Sequence, residues 1–166
     1  MRVEARKEDF MLVEQMSHSE CVGLLCQNHL ARLACVNDGQ PYIVPVQYAY
    51  AGSTIYSFSM PGQKIDWMRD NPRVCLEIDE LAATGDWRSV VVHGLYQELP
   101  DDEDWHTERL HAWSLLQQHT GWWEPGGLKT TTLPVASKSQ HLFYSIDVTD
   151  MSGRRGIAGH PHDHPR

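Results

Sequence analysis

Two rhythms of hydrophobic and polar positions divide this chain into elements. Ser17-His18-Ser19-Glu20 has the form of a capping box, a serine at the N-cap with a glutamate three residues later. Cys21, Leu24 and Leu25 follow at i, i+3, i+4 spacing, which predicts a short helix over His18–Gln27. The residues before it read as a helical or loose arm. From His29 the period falls to two. His29–Val36 reads as a first strand, Asn37-Asp38-Gly39 as a hairpin turn that tolerates positive φ, and Pro41–Ala51 as a second strand. Pro45 cannot donate to a ladder, so it marks an edge, a bulge or a stretch facing something other than a strand. Ala51-Gly52-Ser53 turns the chain into a third strand, Thr54–Met60.

Pro61-Gly62 breaks that strand, and Gln63–Asp70 reads as one or two helical turns ended by Asn71-Pro72. Arg73–Asp79 alternates clearly, with Val74, Leu76 and Ile78 on one face. Trp87–Leu99 is a long fifth strand, and Gly94 inside it suggests a bulge or bend. Pro100–His119 predicts a second full helix, with Trp105, Leu110, Trp113, Leu115 and Leu116 as its apolar stripe and Gly121 as its C-cap. Residues 122–139 read as a long loop, and His141–Val148 as a final strand. Six strands at short spacing, with helices attached, favour an antiparallel barrel with peripheral helices over a parallel α/β sheet. The domain expectation is a single barrel over residues 1–152. A flexible tail over 153–166 follows, carrying His160, His162 and His164.

Composition sharpens this only in places. The chain has 166 residues, 41% of them hydrophobic and 22% charged, the profile of a globular domain. No run approaches the roughly 18 apolar residues of a membrane span. The N-terminal stretch is charged throughout, so it has no signal-peptide core. The net charge is −8, and the acids concentrate in Glu98, Asp101, Asp102, Glu103, Asp104 and Glu108. With the remainder nearly balanced, a phosphate track for nucleic acid is not expected. Cys21, Cys26, Cys35 and Cys75 form no CxxC pair and have no zinc-ligand spacing. They read as reduced thiols of a cytoplasmic protein, and no metal site is expected.

Candidate chemistry is sparse. Ser57-Phe58-Ser59-Met60-Pro61-Gly62-Gln63-Lys64 joins a strand to a helix start with two serines, a glycine and a lysine. Those groups suit a phosphate, because helix N-terminal N–H groups and an ammonium converge there. Many Gly-x-Lys turns are only turns, and the Walker A spacing is absent. Arg88 and Ser89 open the fifth strand and could reach a phosphate or a ring edge; an ordinary salt bridge at a sheet edge fits them as well. Trp105, Trp113, Trp122 and Trp123 could wall a planar ligand or build a core or dimer cluster. The histidine tract of the tail suits a transition metal or no ligand at all. No nucleophile with a base and no paired carboxylates are visible.

Several segments together resemble the pyridoxamine 5′-phosphate oxidase-like FMN-binding split-barrel family, in its flavin-nucleotide-binding branch related to nitroimidazole-resistance reductases. They are Leu33-Ala34 with Asn37 to Val46, Ile55 to Ser59 through Gly62-Gln63-Lys64, Asn71 to Asp79, Trp87 to Gly94, Trp122 to Pro125, and Tyr144 to Val148 with Ser152-Gly153-Arg154. The resemblance implies a six-stranded antiparallel split β-barrel, mainly β with peripheral helices. It also implies a homodimer with FMN in two interface clefts. Pro45, Val46 and Gln47 would lie against the flavin ring, and Ser57, Phe58 and Ser59 would approach the ribityl chain and phosphate. Gln63 and Lys64 would hold the phosphate, with Arg88 and Ser89 reaching the cofactor from the fifth strand. Some relatives carry histidine where Phe58 stands, and residues that recognise pyridoxamine phosphate have no clear counterparts. The expected activity is a flavin-dependent oxidoreductase of a small molecule. The alternative is a non-catalytic binder of flavin or haem, and some members of the fold hold deazaflavin.

Overall fold

The computed structural model describes residues 11–118 and 141–158. The elements, in chain order, are β1 (Met11–Gln15), α1 (His18–Gln27), β2 (Leu30–Asn37), β3 (Gln40–Ala51), β4 (Thr54–Ser59), α2 (Gln63–Asp70), β5 (Arg73–Leu81), β6 (Trp87–Leu99), α3 (His106–Leu116) and β7 (Leu142–Ala158). The sheet runs β1-β7-β4-β3-β2-β5-β6, and β6 pairs back onto β7. That last pairing closes six strands into a barrel and leaves β1 as an appendage on β7. The described pairings are all antiparallel.

Local chemistry accounts for most of these boundaries. Ser17 caps α1 through the expected box: its Oγ accepts from the Glu20 N–H at 3.3 Å, and its own N–H donates to the Glu20 carboxylate at 2.7 Å. Asp38 and Gly39 have φ of 48° and 78°, so the β2–β3 hairpin turns through two left-handed residues. At Gly94 the β6–β7 register slips, with His93 opposite Asp150 and Gly94 opposite Val148. This is the bulge its glycine foretold.

Three expectations need correcting. The arm before α1 is strand β1, paired with the end of β7 from Met11↔Ala158 to Gln15↔Arg154. β7 does not stop at Val148 but continues to Ala158, so Gly153 opens no tail. Its second half holds Gly153, Arg154, Arg155 and Gly156, residues with little strand propensity, and β1 and β6 template it from both sides. α3 begins at His106 and not at Pro100, and Ala112 and Leu116 carry its buried face while Leu110 is exposed. Gly121, the loop over 122–139 and the histidines of the tail lie outside the described residues.

Two apolar clusters result. The larger fills the barrel and packs α1 and α2 against it through Leu24, Leu25, Leu33, Tyr48, Ile55, Ile65, Met68, Leu76, Val92 and Ile146, among others. The smaller lies outside the sheet under α3 and joins Ala49, Tyr56, Phe58, Leu99, Ala112, Leu116 and Phe143. Each strand between them sends alternate residues to each. No helix among the described residues is long and apolar enough to cross a membrane.

Candidate functional site

The barrel splits where β3 and β4 part. Their pairing runs only from Ala51↔Thr54 to Tyr48↔Ser57. Beyond it, Gln40–Gln47 keeps β2 as its neighbour, while β4 stays with β7. Pro45 lies in this one-sided stretch, opposite Arg32. A strand with one neighbour tolerates a proline whose missing N–H falls on the open side. At the fork, the Ser57 hydroxyl donates to the Gln47 carbonyl at 2.6 Å.

A pocket of about 200 Å³ occupies the gap, lined by Tyr42, Val44, Ser59, Met60, Pro61, Gly62, Gln63 and Lys64. Tyr42 and Val44 share one face of β3, two residues apart. The rest is the β4–α2 connection and the first turn of α2. Gly62 is the N-cap of α2 and supplies no side-chain acceptor. The first-turn N–H groups therefore present partial positive charge to the pocket, and the Lys64 ammonium adds a full one. Asp66, also in this turn, is drawn instead toward Arg69 at 3.4 Å. The Cys35 thiol lies within reach of the Lys64 charge: burial pushes it up and Lys64 partly offsets that. Trp67 stands edge-on to Tyr42, with ring centroids 5.6 Å apart, and backs the pocket wall. The lining includes no carboxylate and no imidazole. Its groups suit an anion beside an aromatic wall.

Of the residues expected to touch a cofactor, Ser59, Gln63 and Lys64 line this pocket. Val46 is fully buried in the barrel core, and Ser57 holds the fork shut. Phe58 turns to the opposite face from Ser57 and Ser59, since strand neighbours alternate. Its ring meets His141 at 5.5 Å and Phe143 at 6.3 Å beneath α3, so only its backbone is near the gap. Gln47 is buried and donates from Nε2 to the Leu116 carbonyl at 3.5 Å. Pro45 is exposed on the outer face of the sheet. Tyr42, Val44, Met60, Pro61 and Gly62 complete the lining; alternation back from Val46 was the signal for the first two.

Arg88 and Ser89 are not brought to the pocket within one chain. By register the pocket's Val44 is level with Leu33 of β2, Leu76 of β5 and Val92 of β6, and Arg88 lies four residues further along β6. That is about 13 Å along the strand at the usual rise. Arg88 pairs with Glu80, which also accepts from Asn28 at 2.7 Å. Ser89 is on the other face, where it donates to Glu77 at 2.9 Å, beside Arg32, which pairs with Glu77 at 3.0 Å and with Asp79. Asn28 and then Arg88 hold the Glu80 carboxyl below its ordinary range, and Arg69 does the same for Glu98. A carboxylate depressed in the folded state contributes stability above its unfolded pKa, about 4.3, and loses it as pH falls through the folded value. Melting temperature should therefore fall on acidification below about pH 4.3. Glu80→Gln should lie below the native protein at neutral pH and converge with it in acid. Parallel curves would show that Glu80 contributes nothing to the slope.

The barrel is split at one seam, and a helix N-terminus and Lys64 meet at the fork. The family follows from sequence. The model of the pyridoxamine 5′-phosphate oxidase family matches residues 17–155, and the chain belongs to that family. An uncharacterised protein of Rhizobium meliloti (strain 1021) is 53% identical over 149 residues, covering 90% of this chain and 99% of that protein. The crystal structure of an FAD-binding protein from Mesorhizobium loti is 48% identical, with a TM-score of 0.74 over 87% of this chain and 98% of its own. A putative 5-nitroimidazole antibiotic resistance protein from Bacteroides thetaiotaomicron shares the fold at 17% identity, with a TM-score of 0.71 over 94% of this chain and 96% of that one.

Proposed function

We propose that this protein binds a flavin nucleotide at the β3–β4 split and uses it as an oxidoreductase on a small molecule. The observation that carries the reading is the fork itself: the α2 N-terminus without a side-chain cap and Lys64 converge on one pocket. The FAD-binding relative at 48% identity supports it. The donor set fits the group. Gln63 and Lys64, with the first-turn N–H groups, would hold the phosphate, Ser59 would meet the ribityl chain, and Tyr42 would wall the entrance. Bound flavin supplies the electron transfer, which the lining residues have no groups to perform. We favour FMN, because the lining holds a single basic side chain and so suits one phosphate better than the pyrophosphate of FAD.

At about 200 Å³ the pocket is smaller than the roughly 300 Å³ at which small-molecule sites usually begin. A flavin ring would extend beyond it, along the outer face near Pro45. A second copy of the chain would cover the ring in a homodimer and would present its own Arg88 and Ser89 to it. The free thiols of Cys21, Cys26, Cys35 and Cys75 suit a reducing cytoplasm. A second reading, flavin held without turnover, rests on the described lining having no carboxylate and no imidazole.

The test is an absorbance spectrum of purified protein before and after loading with FMN or FAD and desalting. Retained bands near ~370 and ~450 nm, with bleaching by NADH or NADPH and reoxidation by an acceptor, are the expected result. Retained bands that neither reductant bleaches would favour the binder. A Soret band would move the cofactor to haem, and a colourless protein that retains no flavin would overturn the proposal.

A further inference from the structure

The anion seat depends on where an eight-residue helix points, and so short a helix does not hold itself in place. Ile65 and Met68 bury its inner face completely. These two anchors lie at i and i+3, nearly in line along the axis, with Trp67 packed partly against the core beside them. The C-terminal end of α2 is fastened by polar contacts as well. Arg69 donates to Glu98 of β6 through two parallel bonds, Nε to Oε2 at 2.8 Å and Nη2 to Oε1 at 2.9 Å. Tyr96, on the same face of β6, donates to Glu98 at 3.1 Å, and its N–H donates to the Pro72 carbonyl at 2.8 Å, just after the helix. Asn71 donates to the Val36 carbonyl of β2 at 3.0 Å.

We propose that Arg69, Glu98 and Tyr96 are positioning residues, a clamp that holds the C-terminal end of α2 so that its N-terminus and Lys64 stay aligned on a flavin phosphate. This rests on the flavin-nucleotide reading above. The bidentate fork fixes direction as well as distance, which a single point contact does not. Lys64 and Arg69 are five residues apart, about 7.5 Å along the helix, so a tilt allowed at one end displaces the other. Loss of about an ångström of alignment is enough to weaken a charged contact severely. The salt bridge is partly exposed, with Arg69 at 47% and Glu98 at 23%. Comparing a flavin with a phosphate to one without it separates the pair's geometric effect from its contribution to folding.

The experiment compares FMN with riboflavin, which has the same ring and ribityl chain but no phosphate, by fluorescence titration of the native protein, Glu98→Gln, Arg69→Gln and the charge-swapped double variant Arg69→Glu/Glu98→Arg. The expected result is about a fivefold to twentyfold weaker FMN affinity for each single variant, riboflavin within about twofold, and substantial recovery in the swap. Melting curves of the flavin-free proteins should stay within a few degrees of one another. Equal losses for FMN and riboflavin would make the clamp merely structural and overturn the proposal, as would unchanged FMN affinity. If Glu98→Gln does not fold, Arg69→Gln opens the same clamp from the other side. Should the native protein bind both flavins equally, the phosphate seat itself fails. Should it discriminate while the variants match it, only the clamp fails.

Discussion

Replacing Lys64 with alanine is expected to weaken FMN binding by about 10- to 100-fold while leaving riboflavin affinity within about twofold. Contacts to a charged group contribute about 1.5–3 kcal/mol, and each 1.4 kcal/mol is a factor of about ten in affinity. Among the described residues, Lys64 is the one basic side chain in the pocket lining, and none of the other lining residues carries a positive charge. The helix N-terminus would remain, with only its partial positive charge. The loss should shrink as salt is raised, since the native contact is screened and the alanine variant has nothing left to screen. A second consequence is local: Cys35 loses the neighbour that offsets its burial, and its thiol should titrate still higher. Fluorescence titration with both flavins at two ionic strengths measures the first effect. Equal loss for the two flavins, or none, would place the phosphate elsewhere.

Substituting alanine for Gly94 is expected to destabilise the fold by about 2–4 kcal/mol, with a clear drop in urea midpoint and little change in slope. A Cβ there would stand 2.5 Å from Ile146 Cγ2 and 2.8 Å from the Asp147 carbonyl oxygen. Ile146 is fully buried in the barrel core and has no space to yield. The Asp147 carbonyl is backbone, at the point where the β6–β7 register slips. Relief of the clash must therefore part the two strands that close the barrel. Gly52 provides the comparison: its φ is +65° and its missing side chain would meet open space. Alanine there should cost only about 1 kcal/mol, from backbone conformation alone. Equal losses at the two sites would show that close approach at Gly94 is not what the fold requires.

Much of the architecture is local and was legible as such. The limits of α1, α2 and β6 follow from a capping box, a Pro-Gly break with Asn-Pro after it, and a long apolar alternation. The β2–β3 turn follows from Asp38-Gly39. These signals are legible because each is satisfied within a few residues. β1 and the second half of β7 carry no such signal. Their residues become strand because partners about 140 positions away in the chain pair with them, as Gln15 does with Arg154 and Leu12 with Ile157. Arg155 secures the arrangement by reaching Glu14 at 2.8 Å and Glu20 at 2.7 Å.

The candidate site divides in the same way. The segment from Ser59 to Lys64 was visible in sequence because a strand end, a glycine and a helix start are contiguous, and together they make most of the pocket. The sequence by itself thus determined most of the elements, the β2–β3 hairpin turn and the residue types of the Ser59–Lys64 segment. Only the tertiary structure decided that β3 parts from β4 beyond Tyr48, which opens the gap and explains Pro45. Only it decided that Phe58 turns under α3, and that Arg88 and Ser89 stand outside the pocket lining on opposite faces of one strand. The physical reason is that local propensity acts over a few bonds. Which face a strand residue serves, and which end of a barrel it occupies, is set by closure of the whole sheet.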